Sequence, residues 1–175
     1  FTLFAQANEG RPFSYTFAGD DGDSFGDFID NRHLLYVPTG MDDPLVNFGP
    51  EFNTASFFEF LDETGLSAYS GQIAPRNAFN SSWWGSFDIR IEQELPGFRD
   101  DHRFAAFVVV RNFCNMLNSD WCQLKEVSFP RRQAVVDMEI EGDQYLYEFF
   151  TPGGGETVRA DPSLYEIRIG LRYDF

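Results

Sequence analysis

The sequence predicts an all-β protein that forms a segment of an antiparallel transmembrane β-barrel with long extracellular loops. Three observations lead to this prediction: apolar residues alternate with polar ones, long and short connections alternate between the predicted strands, and aromatic residues flank the final strand. Aromatic residues make up 18% of the 175 residues, yet the mean hydropathy is -0.32, so apolar residues must be interleaved with polar ones. No run approaches the roughly 20 apolar residues that a membrane helix needs.

The final segment, SLYEIRIGLRYDF at residues 163–175, separates an apolar row from a polar row. The apolar row is Tyr165, Ile167, Ile169, Leu171, Tyr173 and Phe175, and the polar row is Glu166, Arg168, Gly170, Arg172 and Asp174. Period two indicates a strand whose faces meet different environments. A soluble sandwich would press the apolar face onto a second sheet, whereas an outer-membrane barrel would turn it to lipid. The aromatic residues at both ends favour the barrel, but this segment alone does not decide.

Five further segments have strand character. They cover residues 1–17, interrupted at Gly10 and Pro12, and residues 86–98, 103–113, 133–140 and 144–150. In residues 103–113 the middle is apolar at both odd and even positions, so the sequence does not show which side of that strand is covered. In residues 133–140, Val135 alone breaks the alternation. Pro96 with Gly97, and the triplet at residues 141–143, predict tight turns.

The connections between these strands are alternately long and short. Short turns join residues 95–103 and 140–144, and long connections cover residues 18–85, 114–131 and 152–163. Outer-membrane barrels have short periplasmic turns and long extracellular loops, so we expect about six barrel strands, the last one running to a periplasmic C-terminus. Because a barrel needs about eight strands to close, the others are expected from another polypeptide or from a longer parent chain. No leader precedes Phe1, which fits a mature product or a fragment.

The connection over residues 18–85 is unusually long and is expected to carry function. A short helix is predicted near residues 55–64, started by a capping box of Ser56 and Glu59 and stopped at Gly65. Its apolar side chains are expected to form the core of the loop; they are Phe57, Phe58 and Leu61.

The same connection is strongly acidic. Between Asp20 and Glu63 it contains eleven acidic residues and one basic residue, Arg32, and we expect this stretch to be solvated. Its first part, GDDGDSFGD, offers four carboxylates as calcium ligands, namely Asp20, Asp21, Asp23 and Asp27. The EF-hand pattern is not met, because Arg32 occupies the twelfth position of a loop begun at Asp21. A mobile acidic loop is the alternative, and calcium is the one cofactor considered.

Two tryptophans precede the strand at residues 86–98. Trp83 and Trp84 are expected near its outer end, either in an aromatic girdle or as a stacking platform for a sugar or aromatic solute. Arg76 and Asn77 lie nearby in the sequence, where they either tie down the loop or meet the ligand.

Charged residues on the polar faces of the strands are expected to face the barrel lumen and to pair there with one another or with a plug. They are Arg90, Glu92, Glu94, Glu166, Arg168 and Arg172.

The remaining polar chemistry gives little support to an enzyme. Cys114 and Cys122 are either two inert thiols or a short disulfide formed in an oxidising compartment. His33 and His102 have no catalytic partner in the sequence, and no hydrolase, metalloprotease or nucleotide-binding motif occurs. The net charge of -15 argues against nucleic acid as a partner.

Six stretches, in order along the chain, resemble the end of TonB-dependent receptors of the Oar-like kind. These stretches are GRPFSYTF, LLYVPTGMDDP, APRN at residues 74–77, FDIRIEQELPG, NFCNMLN and YEIRIGLRYDF. The resemblance covers nearly all 175 residues, and no single motif in it is specific. Cys114, Cys122 and the acidity of residues 18–85 depart from the family, and the acidity calls an anionic substrate into question.

The resemblance implies a 22-stranded barrel in the bacterial outer membrane, of which residues 1–175 supply the C-terminal portion. Residues 18–85 would form an extracellular loop region and residues 86–175 the last five strands. Implied partners are membrane lipid, the rest of the barrel and its plug, the TonB complex acting through the plug, and the barrel-assembly machinery. That machinery would read the terminal strand through Tyr173 and Phe175. The plug and the TonB box are absent from this sequence.

Three functional hypotheses follow. The first is a segment of a TonB-dependent receptor that takes up, or exports, a solute by energy-coupled transport and performs no covalent chemistry. The second is a soluble secreted β-sandwich module that binds carbohydrate. The third is a hydrolase built on a small outer-membrane barrel.

Overall fold

The structure is a computed structural model that describes residues 1–99 and 102–175. It is mostly β, with 44% strand and 17% helix, and it contains several sheets, one of them a curled half-barrel. Within the described residues no closed barrel is seen. The turn predicted over residues 95–103 includes Asp100 and Asp101, which lie outside the described residues.

Strands and short helices alternate along the described chain. The strands are β1 (Thr2–Asn8), β2 (Pro12–Ala18), β3 (Tyr36–Val37), β4 (Val46–Phe48), β5 (Gln72–Ile73), β6 (Phe79–Asn80), β7 (Trp84–Pro96), β8 (Arg103–Arg111), β9 (Lys125–Glu126), β10 (Arg132–Glu141), β11 (Gln144–Phe150), β12 (Thr157–Val158) and β13 (Glu166–Asp174). The helices are α1 (Asp21–Phe25), α2 (Thr54–Thr64), α3 (Phe113–Leu117) and α4 (Ala160–Ser163), with a 3₁₀ turn at Leu66–Tyr69.

The chain divides into two compact units. Unit 1 contains Phe1–Gly10, Ser82–Glu126 and Thr157–Phe175, and unit 2 contains Arg11–Ser81 and Val127–Glu156. Unit 2 is therefore formed from two separate stretches of chain, each inserted between strands that belong to unit 1.

Unit 1 contains a four-stranded sheet with the order β1-β7-β8-β13, in which every pair of neighbours is antiparallel. Residues that pair directly across antiparallel strands point to the same side of the sheet. The register therefore assigns each side chain to one of two faces. It also settles the facing of β8, which its own sequence leaves open.

We call the first of these the apolar face. Its members are Leu3, Ala5, Ala7, Phe87, Ile89, Ile91, Gln93, Leu95, Phe104, Ala106, Val108, Val110, Ile167, Ile169, Leu171 and Tyr173. Gln93 is the one polar side chain among them. Many of the others are open to the surroundings: Ile169 is 77% exposed, Leu171 68% and Leu3 64%. No described element of unit 1 covers these three side chains.

We call the second the polar face. It carries Gln6, Trp84, Ser86, Asp88, Arg90, Glu92, Glu94, Phe107, Arg111, Glu166, Arg168, Gly170 and Arg172, among others. Three apolar residues also lie on this face, namely Phe4, Phe107 and Val109. The ring of Phe107 lies 4.7 Å from the guanidinium carbon of Arg90, within cation–π range.

Unit 2 is organised around a five-stranded mixed sheet with the order β4-β11-β10-β2-β6. Its central strands are buried on both faces, because Val135, Val136 and Met138 are all nearly inaccessible. Helix α2 contributes Phe57 and Leu61 to the same core. Tyr147 is fully buried, and its hydroxyl donates a hydrogen bond of 2.5 Å to the carbonyl of Tyr36.

Two of the six predicted barrel strands, and the second piece of the strand predicted over residues 1–17, therefore belong to a different sheet from the one expected. Strands β10 and β11 were expected beside the others, but they pair with each other and with β2 and β4 of unit 2. The reason is that β10 alternates almost like a strand with one covered face, although it is a central strand that is covered on both sides. Val135, which interrupts the period-two pattern, is buried on the second face.

The acidic connection is folded, and its acidic side chains are exposed as expected, with the exception of Asp21 and Asp43, which are buried. Helix α2 occupies Thr54–Thr64 and ends at Gly65, with φ 77°, so the predicted helix and its stop are confirmed. The predicted start is off by one turn, because Asn53 caps the helix and its side chain accepts a hydrogen bond from the Ser56 amide. The turn at residues 141–143 is confirmed, and it joins β10 to β11 with Gly142 at φ 64°.

Among the described residues, none of the helices has the length and apolar character needed to cross a membrane.

Candidate functional site

A cleft of about 340 Å³ opens on the polar face of unit 1, where β1 and β8 end and β7 and β13 begin. Its lining residues are Gln6, Trp84, Ser86, Asp88, Arg111, Asn112, Asp161, Pro162, Leu164, Tyr165 and Glu166. The four strands supply the floor, and α4 with the residues after it supplies one wall. A volume of this order suits a small ligand.

Asn112 organises the wall of this cleft. It follows β8 in a left-handed conformation, with φ 49°, and it is buried. Its side-chain amide donates to the carbonyls of Cys122 at 3.2 Å, Pro162 at 3.3 Å and Ser163 at 2.8 Å. Its backbone amide donates to Asp88 at 2.8 Å. One residue therefore joins the end of β8 to a carboxylate of β7, to the cysteine loop and to α4.

Cys114 and Cys122 form a disulfide, with their Cα atoms 6.0 Å apart. The carbonyl of Cys122 accepts hydrogen bonds from the Asn112 side chain and from Trp84 Nε1, the latter at 3.3 Å. The disulfide therefore restrains the loop that holds Trp84 in the cleft. A disulfide is typical of a protein outside the cytoplasm, which is all that it indicates about location.

The cleft combines charged side chains with aromatic rings. It presents the carboxylates of Asp88, Asp161 and Glu166 against one guanidinium, Arg111, together with the rings of Trp84 and Tyr165. Arg111 lies 3.5 Å from Glu166, which also pairs with Arg168 at 2.6 Å. Within the described residues no group of three His, Cys, Asp or Glu side chains could hold a metal ion. Hydrogen bonding and ring stacking are what this arrangement offers to a polar solute.

The residues predicted to face a lumen share the polar face and pair with one another. Glu92 accepts from Arg90 at 2.6 Å and lies 3.5 Å from Arg172, so a charged network crosses from β7 to β13 above β8. Arg168 pairs with Glu166, and Arg172 also pairs with Asp174 at 3.2 Å. Glu94 lies on the same face of β7.

The four predicted ligand-binding residues do not form one site within a unit. Trp84 lines the cleft of unit 1, and Trp83, just before β7, is 70% exposed. Arg76 and Asn77 belong to unit 2. Asn77 has a structural role, because its backbone amide donates to the Ser14 hydroxyl at 2.8 Å.

The four aspartates considered for calcium do not converge on one point. Asp21 is completely buried, and its carboxylate accepts hydrogen bonds from the backbone amides of Asn31, Arg32 and His33. It also lies 2.8 Å from His33 Nδ1. Asp27 lies 3.4 Å from Arg32 and 3.3 Å from His33 Nε2. Asp20 precedes α1 and Asp23 lies within it, so the group forms a folded turn and not a mobile loop.

Tyr173 and Phe175, the predicted assembly signal, lie at the other end of the sheet. Tyr173 is hydrogen-bonded to His102, and its ring centroid lies 6.0 Å from that of Phe98 and 6.4 Å from that of Phe175. Phe98 and Phe175 are almost fully exposed. An aromatic cluster therefore lies at the end of the sheet where β13 ends.

Several residues of the cleft escaped sequence analysis. Asp88, Asn112, Asp161 and Tyr165 were not identified as neighbours. The one available signal was Asn112 itself, since asparagine tolerates a left-handed conformation at the end of a strand.

Comparisons with family models, with curated proteins and with solved structures found no match to this chain.

Proposed function

We propose that this chain is part of a TonB-dependent outer-membrane receptor that moves a solute across the outer membrane by energy-coupled transport. One observation supports the proposal most strongly: an antiparallel sheet has one face that is apolar and exposed and another that is charged and internally paired. Water does not stabilise a contiguous apolar face of this kind, whereas lipid does.

Strand length and connectivity support the same proposal. Strands β8 and β13 each contain 9 residues, within the range of about 9–11 that crosses a bilayer when tilted. The connections are long after β1, short after β7 and long after β8. In this proposal the long connections are extracellular. The last strand then ends in the periplasm.

Aromatic residues lie where interfacial girdles are expected. Trp83 lies just before β7, at the outer end of the sheet, and Phe98, Tyr173 and Phe175 lie at the inner end. The free edges of β1 and β13 would pair with strands from the rest of the barrel, because unpaired backbone groups are costly in hydrocarbon. The plug, the TonB complex and the barrel-assembly machinery are further proposed partners.

The cleft of unit 1 is the proposed solute-binding surface of this segment. It lies on the polar face at its outer end, where a solute entering the lumen would meet Trp84 and Tyr165. The carboxylates there favour a neutral or cationic polar solute over an anion.

The rival hypothesis, a soluble carbohydrate-binding sandwich, predicts that the apolar face is covered by a second sheet. The exposure of Ile169 and Leu171 does not meet that expectation. The two hypotheses also differ in the compartment where the protein is found.

Site-directed labelling tests the proposal in the native protein that contains this chain. Single cysteines replace Ile169 on the apolar face or Arg168 on the polar face, with Cys114 and Cys122 left as the disulfide. In outer membranes, Ile169→Cys should react with a lipid-soluble maleimide and resist a charged one, whereas Arg168→Cys should react with the charged reagent. A water-soluble protein in which both cysteines react with the charged maleimide would exclude the transporter.

A further inference from the structure

Unit 2 has its own open cleft, of about 300 Å³, in which guanidinium groups meet aromatic rings. It is lined by Phe25, Asp27, Arg32, His33, Leu34, Ile73, Arg76 and Tyr145. This cleft shares no residue with the cleft of unit 1. Its lining contains two arginines and one aspartate, whereas the lining of the unit 1 cleft contains three carboxylates and one arginine.

Hydrogen bonds fix the backbone on both sides of Arg76, and its side chain is exposed. The Ala74 amide donates to the Leu35 carbonyl at 2.8 Å, and the Asn77 amide donates to the Ser14 hydroxyl at 2.8 Å. Arg76 therefore lies in a turn anchored on both sides. Its exposed guanidinium makes no hydrogen bond or ion pair with any described residue, although the chain carries 28 acidic residues.

The opposite wall is a preformed cluster centred on His33. Its ring stacks on Phe25 with centroids 4.0 Å apart and planes 26° apart, and it lies between the carboxylates of Asp21 and Asp27. Asp27 also pairs with Arg32 at 3.4 Å. Since Asp27 is engaged by these neighbours and Asp21 is buried, the charge in the cleft that lacks a counterion is that of Arg76.

The rest of the lining is apolar and rigid. Tyr145 stacks on Tyr36 with centroids 5.6 Å apart, and it packs at 5.5 Å against Phe17, which fixes its ring in the floor of the cleft. Ile73 is 53% exposed at the rim of the cleft.

We infer that this cleft binds a small carboxylate that carries an aromatic ring. The carboxylate pairs with the guanidinium of Arg76, whose planar fork matches a carboxylate in two parallel hydrogen bonds. The ring packs against Phe25, Tyr145 and Ile73, where ring contacts add to the apolar area buried. The acidity of residues 20–63 does not oppose this, because the nearest carboxylates, Asp21 and Asp27, are already engaged.

Titration of the whole native protein with 3-phenylpropionate, followed by calorimetry and by saturation-transfer NMR, tests the inference. We expect saturable millimolar or tighter binding, with no binding of the neutral 3-phenylpropanamide. Arg76→Gln should lower the affinity for 3-phenylpropionate by about 10-fold or more, because it removes a charge-assisted hydrogen bond. Arg11→Gln, which removes the same charge from unit 2 outside the cleft, should leave the affinity unchanged.

Two outcomes would overturn the inference: equal binding of acid and amide, or equal weakening by Arg76→Gln and Arg11→Gln. Arg76→Lys separates a binding defect from a folding defect. It keeps the positive charge but loses the planar guanidinium, so it should bind with intermediate affinity. The result is independent of transport, because the binding site lies within unit 2 and the maleimide labelling reports on unit 1 alone.

Discussion

Phe107 and Gly170 pair directly across β8 and β13 on the polar face, and the phenylalanine ring lies over the glycine. A Cβ at Gly170 would come within 2.3 Å of Phe107 Cζ. The ring also receives the guanidinium of Arg90. Gly170, two residues away from both Arg168 and Arg172, thus provides the space that allows an aromatic residue to lie on a charged face.

Gly170→Ala should therefore destabilise the unit 1 sheet by about 1–3 kcal/mol, the cost of overpacking. Urea unfolding of the folded protein measures this. Adding Phe107→Leu to Gly170→Ala should recover part of the loss, because the contact is removed from the other side. Gly154→Ala, where an added Cβ meets nothing within 4 Å, is the matched control. Equal effects of the two alanines would contradict the packing role.

Ile169→Arg tests what the apolar face contacts. If Ile169 meets lipid near the bilayer centre, the substitution should cost about 2–4 kcal/mol of folding free energy, measured by reversible unfolding in lipid vesicles. Val158→Arg, at an exposed apolar residue of the connection between β8 and β13, should change little. A neutral or stabilising effect of Ile169→Arg would argue for water at this face.

Asn112→Ala should destabilise the cleft of unit 1 for two separable reasons. It removes the donor to three backbone carbonyls, and it places alanine in a left-handed conformation that costs about 1–2 kcal/mol. Asn112→Gly loses the donor but tolerates the conformation, so it should be the milder variant by that amount. Hydrogen exchange of amides at residues 112–124 reports the change. Identical behaviour of the two variants would show that the backbone conformation is unimportant.

Asp43→Asn tests an acid-sensitive contact in unit 2. Burial would raise the pKa of Asp43, but hydrogen bonds from the Thr39 and Leu45 amides and from the Thr39 and Tyr36 hydroxyls outweigh it, so the net pKa is lowered. A lowered pKa means that the folded state favours the carboxylate. Its stabilisation is thus complete above the ordinary aspartate pKa and lost as the pH falls through the lowered value.

At neutral pH, Asp43→Asn should therefore reduce the free energy of unfolding of unit 2 by about 1–3 kcal/mol, the cost of leaving buried donors poorly satisfied. The difference from the native protein should shrink in acid. Unfolding followed by tyrosine fluorescence at several pH values measures it. Asp42→Asn, at the exposed neighbouring aspartate, is the control, and a pH-independent difference would exclude the carboxylate as the cause.

The alternation of apolar and polar residues predicted strands correctly where one face of the strand carries the apolar side chains. Strand β13 follows the predicted parity from Glu166 to Asp174, and helix α2 ends at the predicted Gly65. The prediction of the sheet failed where a strand that is buried on both faces shows nearly the same alternation as a strand that is buried on one. The alternation in β10 is nearly the same as that of a one-sided strand, and Val135 alone marked the second buried face.

The sequence by itself determined which residues share a side of each strand in unit 1, because the period of the β backbone assigns successive side chains to opposite sides. Tertiary structure alone decided which strands became neighbours. The five-stranded sheet unites β2 and β4 with β10 and β11, which are more than 80 residues away, and parallel pairing over such distances leaves no local trace. For the same reason, the sequence did not predict the cleft around Asn112 or the environment of Arg76, because both are formed by segments that are distant in the chain.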